Sequence, residues 1–242
     1  MEGPSEELLN SFKKIYSSGE YSNLTITCNG KRFQVHRAIV CPRSEFFAAA
    51  LRQGFKEAGE GTIDLSSDDL HTVEIMIQYF YCLDYDVFSQ GQQPDNGNNK
   101  LQVLEKSRPP LLSTHAKVYA IGEKYLIGGL KALALRKFNA AITTHWARDD
   151  FLEAVREAYG STPDTDRGLR NSVIAAIHAH SELLKQEQVQ SVLKEFNVLA
   201  YDLLITQEAL EQIRCPYAAK LTISHMECCT LTRSGKHYTK SL

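Results

Sequence analysis

Five residues near the C-terminal end of the sequence are of the types that bind zinc. They are Cys215, His225, Cys228, Cys229 and His237. Structural zinc sites are usually built from two ligand pairs, each pair closely spaced along the chain. Here the first cysteine stands alone, well before an adjacent pair. This spacing does not match a zinc site, and the sequence predicts neither a metal nor another cofactor. Cys215, Cys228 and Cys229 are kept only as weak candidate ligands of a degenerated site.

Motifs for catalysis are absent from the sequence. It contains no G-x-S-x-G turn, no glycine-rich phosphate loop and no paired-carboxylate motif. Gly128-Gly129 is typical of a break between two helices. His178 and His180 are two residues apart, so on a helix they do not share a face. The sequence therefore predicts a protein that is not an enzyme, and the alternative is an active site assembled from distant residues.

The composition is that of an ordinary globular protein. Its 242 residues are 43% hydrophobic and 23% charged, which suits one large domain or two small ones. The net charge is −2 and no basic block stands out, so direct nucleic-acid binding is not expected. The acidic N-terminus does not resemble a signal peptide. Because the sequence has no long apolar run, no membrane partner is predicted. Six cysteines without a disulfide pattern favour a cytoplasmic or nuclear location.

The first third of the chain predicts short helices and strands in alternation. A helix is expected over Ser5–Tyr16, with Ser5 as its cap and Gly19 as its end. Alternating apolar residues predict a strand over 24–28 and a returning strand after the Asn29-Gly30 turn, which is a strong hairpin signal. A third short strand is predicted over 62–65.

Helices are predicted through the rest of the chain. Ser44 is expected to cap one helix, and Ser67 or Asp68 the next. Five further helical patterns cover residues 118–126, 130–141, 146–159, 173–184 and 187–204, the last being the longest.

Between these helices lies a polar stretch, 86–113, rich in Gly, Asn and Gln. It is interpreted as a disordered or functional loop, or alternatively as a domain boundary. The predicted division is a domain over 1–142 that contains this insertion, a helical extension over 143–210, and a tail over 211–242 that is loosely ordered or a small appendage.

Residues 21–142 resemble a BTB/POZ domain. The resemblance is carried by an ordered set of segments: N-L-T-I-T, F-Q-V-H-R-A-I-V, S-E-F-F, G-F-K-E, T-I-D-L and A-K-V-Y-A-I-G-E-K-Y-L-I-G-G-L-K. It implies an α/β (α+β) fold with a short three-stranded sheet flanked by helices, followed by an all-helical extension. The polar insertion and the extension resemble the BTB proteins of filamentous fungi. Kelch, MATH and C2H2 zinc-finger patterns are absent from the sequence.

The resemblance implies two candidate interfaces. Phe55, Lys56 and Glu57 match the motif through which adaptor BTB domains contact a cullin scaffold; alternatively, Phe55 packs on its own domain. In BTB dimers an N-terminal helix packs across the two-fold axis; alternatively, it docks on its own subunit. The candidate dimer-interface residues are Leu8, Leu9, Phe12, Ile15 and Tyr16.

A third group matches the structural motif of the family. It consists of Asn23, His36, Arg37 and Phe47, and His36 is expected to be a hydrogen-bonded core histidine. Asn23 departs from the aspartate that is usual there. In some relatives that aspartate faces a basic residue matching Arg37 inside a charged pocket. Asn23 does not supply the negative charge, so the resemblance does not carry the function of that pocket over to this chain.

Together these features predict a homodimeric protein–protein interaction adaptor. By resemblance it would recruit a cullin-type ubiquitin ligase scaffold and an unknown substrate protein. The alternative is a dimeric structural or transcription-associated scaffold that does not bind cullin.

Overall fold

The computed structural model describes residues 3–52, 56–87, 111–147 and 150–214, with side chains as far as residue 208. The secondary structure in these ranges follows, in chain order. The helices are α1 (Pro4–Ser18), α2 (Arg37–Val40), α3 (Glu45–Ala50), α4 (Lys56–Glu60), α5 (Leu70–Cys82), α6 (Leu111–Lys124), α7 (Gly128–His145), α8 (Asp150–Gly160), α9 (Gly168–Ala179), α10 (Glu187–Glu195) and α11 (Asn197–Arg214). The strands are β1 (Leu24–Cys28), β2 (Lys31–Val35) and β3 (Thr62–Asp64), and two short 3-10 helices cover Cys41–Arg43 and Ser181–Lys185.

The three predicted strands form a small mixed sheet, which confirms the predicted fold class. β1 lies in the centre, antiparallel to β2 and parallel to β3. Asn29 and Gly30 both have positive φ, 47° and 82°, as a tight hairpin turn requires. Helix α1 was predicted over Ser5–Tyr16 and spans Pro4–Ser18. Its N-cap is Gly3 rather than Ser5, and its C-cap is Gly19, with φ 67°.

Helix α5 forms the centre of the N-terminal half. Its cap is Asp69, not Ser67 or Asp68, and the Asp69 carboxylate accepts a hydrogen bond from the Thr72 amide at 2.9 Å. Ser44 caps α3 as predicted, accepting from the Phe47 amide at 3.1 Å. Eight of the thirteen residues of α5 are buried and the other five are half-buried, because α1, α2 and α6 pack around it.

The break between α6 and α7 lies at residues 125–127 and not at the predicted glycine pair. Leu126 adopts a left-handed conformation with φ 54°, and Gly128 is already the first residue of α7. Gly129 is required for a different reason: a Cβ there would collide with the Tyr79 hydroxyl. The polar insertion is also shorter than predicted, because Leu112 and Ser113 are buried residues of α6. Residues 88–110 lie outside the described residues.

The helical extension packs directly on the first half. α8 lies against α6, and α9 lies against α7. The helix predicted from Trp146 begins at Asp150, while Trp146 stacks on the His180 ring with 3.7 Å between centroids. The long helix predicted over 187–204 is two helices, because the chain bends at Phe196, which packs against the core beside Tyr159.

One hydrophobic core runs from Leu24 in β1 to Leu203 in α11. A polar cluster supports it where the two halves meet: Tyr119 donates to Asp166 at 2.6 Å, and Lys131 forms an ion pair with the same carboxylate at 2.8 Å. The division at residue 143 stays a prediction, since the helices on either side of it share this core. None of the helices in the described ranges has the length and apolar character needed to cross a membrane.

Candidate protein-interaction site

His36 holds together the start of the sheet and α5. Its Nδ1 lies 2.7 Å from the Tyr81 hydroxyl and its Nε2 lies 2.6 Å from the Glu20 carbonyl oxygen. The backbone N–H of His36 also donates to the Tyr81 hydroxyl oxygen, at 3.0 Å. The Tyr81 O–H can therefore donate to Nδ1 while Nε2–H donates to Glu20, which is the arrangement of the Nε2–H tautomer. This is the geometry of a structural histidine.

Tyr81 in turn positions helix α1. Its ring stacks on Tyr16 with 4.9 Å between centroids, and burial raises the pKa of Tyr81 to about 12, so it stays a hydrogen-bond donor. Phe12, Ile15 and Tyr16 pack against the core of their own subunit. Leu8 continues the same helical stripe towards the N-terminus, yet it is 58% exposed. The C-terminal half of α1 is thus docked, while its N-terminal half presents an apolar side chain to solvent.

Asn23 and Arg37 are brought together, but not as an ion pair. The Asn23 side-chain oxygen accepts a hydrogen bond from the backbone amide of Arg37 at 2.8 Å. The Nε atom of Arg37 is buried without a hydrogen-bond partner among the described residues. The asparagine therefore caps α2. Because its side chain is neutral, position 23 supplies no carboxylate to pair with the Arg37 guanidinium.

Phe47 anchors an aromatic cluster beside α3. Its ring is fully buried, and it stacks on Tyr125 with 5.5 Å between centroids. Ser44 ties the same two segments together, because its hydroxyl donates to the Tyr125 carbonyl oxygen at 2.6 Å. The neighbouring Phe46 contacts both rings edge-on and is 38% exposed.

Phe46 and Leu126 form an apolar surface that the motifs did not indicate. Leu126 is 52% exposed and the two residues line one open groove, with Arg43 and Arg52 at its edge. A leucine with positive φ costs about 1 kcal/mol or more, so its position is set by the packing of Tyr125 rather than by local preference. Two adjacent phenylalanines on a helix point about 100° apart, and this was the available signal that only one of them would be buried. For Leu126 the sequence holds no such signal.

The predicted cullin motif is only partly described. Phe55 lies outside the described residues. Lys56 begins α4 and forms an exposed ion pair with Glu60 at 3.6 Å. Glu57 is half-buried, and its carboxylate has no partner in the described part of the chain, although its backbone carbonyl accepts from Gly61.

The buried titratable groups belong to the interior. Tyr85 and His115 are 3% and 4% exposed, and they share a hydrogen bond of 2.7 Å. Burial, together with the charge of the nearby Lys137, lowers the pKa of His115 to about 4. Within the described ranges, no three His, Cys, Asp or Glu side chains are grouped to hold a metal ion. The candidate ligands Cys215, Cys228 and Cys229 lie outside those ranges.

Comparison with known proteins identifies one domain within the chain. The model of the BTB/POZ domain matches residues 12–106. The chain therefore carries a BTB/POZ domain over these residues, and this domain is a protein–protein interaction module.

Several relatives contain the same domain. Kelch repeat and BTB domain-containing protein 1 of Ectromelia virus is 30% identical over 77 residues, which are 32% of this chain and 14% of the viral protein. Kelch-like protein 23 of Mus musculus is 23% identical over 163 residues, which are 63% of this chain and 29% of the mouse protein. Kelch-like protein 26 of Danio rerio is 26% identical over 77 residues, 32% of this chain and 13% of that protein. The chain thus spans less than a third of each, and because these relatives are viral and animal, the resemblance to fungal proteins stays a prediction.

Proposed function

We propose that the protein is a homodimeric adaptor that recruits a cullin-type ubiquitin ligase scaffold. The observation that carries the dimer is the apolar stripe of α1, which begins on the core at Ile15 and Phe12 and extends past it to the exposed Leu8. Docking of the C-terminal half fixes the direction of the helix, so Leu8 is held out rather than free to fold back. A second copy related by a two-fold axis would cover the two N-terminal halves reciprocally.

The proposed dimer predicts the mass in solution. Light scattering after size exclusion should give about twice the chain mass of 27.2 kDa at micromolar concentration. Leu8→Asp should shift the protein to the monomer mass, because it places a charge in a desolvated contact. Lys14→Asp is the matched control, since Lys14 is exposed on the opposite side of the helix and this variant should remain dimeric. A monomeric unmutated protein would remove the dimer from the proposal.

The cullin contact is proposed for the surface formed by α3, α4 and the α6–α7 turn. Phe46 and Leu126 supply exposed apolar area in one groove, and Glu57 on α4 is a half-buried carboxylate with no partner among the described residues. Interfaces typically combine a few such apolar anchors with charged groups that fix the register. The role of Phe55 rests on the resemblance of G-F-K-E to the adaptor motif.

Capture on an immobilised cullin N-terminal domain tests this contact. Phe55→Ala and Glu57→Lys should each weaken binding by about tenfold or more, as expected for central interface residues. Leu126→Asp should do the same if the α6–α7 turn belongs to the surface. Glu60→Lys serves as the control, because Glu60 is exposed on the same helix and its ion pair with Lys56 contributes little.

The second candidate function is a dimeric scaffold that does not bind cullin. It is supported by Asn23, whose neutral side chain accepts from the Arg37 amide at a position where the resemblance leads us to expect an aspartate. A protein that is dimeric by light scattering but is not captured by the cullin domain would support this alternative. Affinity capture from the native cell, followed by identification of the bound proteins, would identify the partner in either case.

A further inference from the structure

Helix α11 is apolar on two opposite sides. Leu199 and Leu203 face the core and are 1% and 8% exposed. On the other side lie four exposed side chains within two turns: Val198 at 42%, Tyr201 at 64%, Leu204 at 63% and Ile205 at 47%. A helix that is apolar all round is normally covered on all sides. These four residues define the outer face of α11, an exposed apolar patch of the kind that marks a contact site.

We propose that residues 217–226 of the same chain fold back and cover the outer face of α11. The first argument is the size of the face. Four side chains expose on the order of a few hundred Å², whereas a stable contact between separate proteins needs about 800 Å² from each partner. A segment joined to the helix needs far less, because the connection gives it an effective concentration in the millimolar range. This favours a tethered segment over a free partner or a second copy.

The second argument is reach. α11 ends at Arg214, and Pro216 follows two residues later, where a helix cannot continue. The face lies between about 14 and 24 Å back along the helix axis from Arg214, at 1.5 Å per residue. Ten extended residues span about 33 Å. The segment can therefore cover the whole face after one reversal of the chain.

The third argument is chemistry. The segment offers Tyr217, Leu221, Ile223 and Met226 as apolar side chains. Residues 215–242 also carry Lys220, Arg233, Lys236 and Lys240 against the single acidic residue Glu227, so the tail is basic. α11 presents the exposed Glu208 one turn beyond Leu204. Apolar and charged groups on the two sides are thus complementary.

Limited trypsin digestion of the full chain tests the proposal. Each cleavage rate is divided by the rate at the same site in a synthetic peptide spanning 215–242. After this normalisation, cleavage after Lys220 should be about tenfold slower than cleavage after Lys236, because cleavage at Lys220 requires the docked segment to open. Leu204→Ser and Tyr201→Ser should each abolish most of this difference. Leu184→Ser is the matched control: Leu184 is an exposed leucine outside α11, and this variant should keep the protection.

Two results would overturn the proposal. One is equal normalised cleavage at Lys220 and Lys236 in the unmutated protein. The other is protection that increases with protein concentration, because that would assign the face to a second copy. Protection that is independent of concentration and lost in both α11 variants supports intramolecular docking, whatever the outcome of the cullin and dimer experiments.

Discussion

Replacement of Arg170 by alanine lowers the free energy of unfolding by roughly 3 kcal/mol, the loss expected when a buried hydrogen-bonding group is removed. Arg170 is only 1% exposed. Its guanidinium donates to the Thr162 carbonyl oxygen at 2.9 Å and lies over the Tyr159 ring at 4.7 Å. Without it, the carbonyl group of the buried Thr162, in the connection between α8 and α9, loses this donor. Urea unfolding followed by circular dichroism measures the change.

Two control variants separate this role from that of a charge pair. Arg170 also forms an ion pair with Asp164 at 2.8 Å, but Asp164 is 82% exposed. Asp164→Asn should therefore cost less than about 1 kcal/mol. Arg156→Ala removes an exposed pair with Glu195 and should cost equally little. If Arg170→Ala costs no more than Arg156→Ala, the arginine does not organise the connection.

Arg170 also shows what the sequence did not reveal. Residues 160–168 read as a polar connection, and nothing in the spacing indicated that the arginine after it is buried. Its environment is made by carbonyl groups that only the folded loop brings to one point. Charged residues are seldom fully buried, so sequence reasoning places such a residue at the surface by default.

The elements that were predicted well are those specified by near neighbours. The Asn29-Gly30 turn, the alternation in β1 and β2, and the Ser44 cap all depend on residues within a few positions of each other. The two misplaced breaks between helices, at α6–α7 and at α10–α11, depend on distant contacts. The α6–α7 break follows the packing of Tyr125 on Phe47, and the α10–α11 break follows the packing of Phe196. Local patterns carry no information on either.

The candidate site divides in the same way. His36, Arg37 and Phe47 were located by an ordered motif, and the structure places all three around α2 and α3. The exposed surface of Phe46 and Leu126 joins residues about 80 positions apart, which only the tertiary fold brings together. Motif reasoning thus found the residues that build the domain more readily than those that it presents to a partner.

The pH dependence of stability should come largely from His115. Its pKa in the folded protein is lowered to about 4, against 6.5 for the unperturbed side chain. Burial is the main cause, Lys137 also lowers the pKa, and Asp150 partly opposes them. A depressed histidine pKa means that the unfolded state binds the proton more readily. The stabilisation is fully present above pH 6.5 and is lost as the pH falls towards 4. The difference corresponds to about 3 kcal/mol, at 1.36 kcal/mol per unit.

His115→Gln isolates this contribution, because glutamine can still hydrogen-bond with the Tyr85 hydroxyl but does not titrate. Urea unfolding of the unmutated protein and of this variant at pH 7, 6, 5 and 4 should give free energies whose difference changes by about 3 kcal/mol across the series. Identical pH profiles for the unmutated protein and His115→Gln would show that His115 is protonated in the folded state or is accessible to water. In that case the Tyr85–His115 contact would not be part of a dry core, and acid unfolding would have to start from another group.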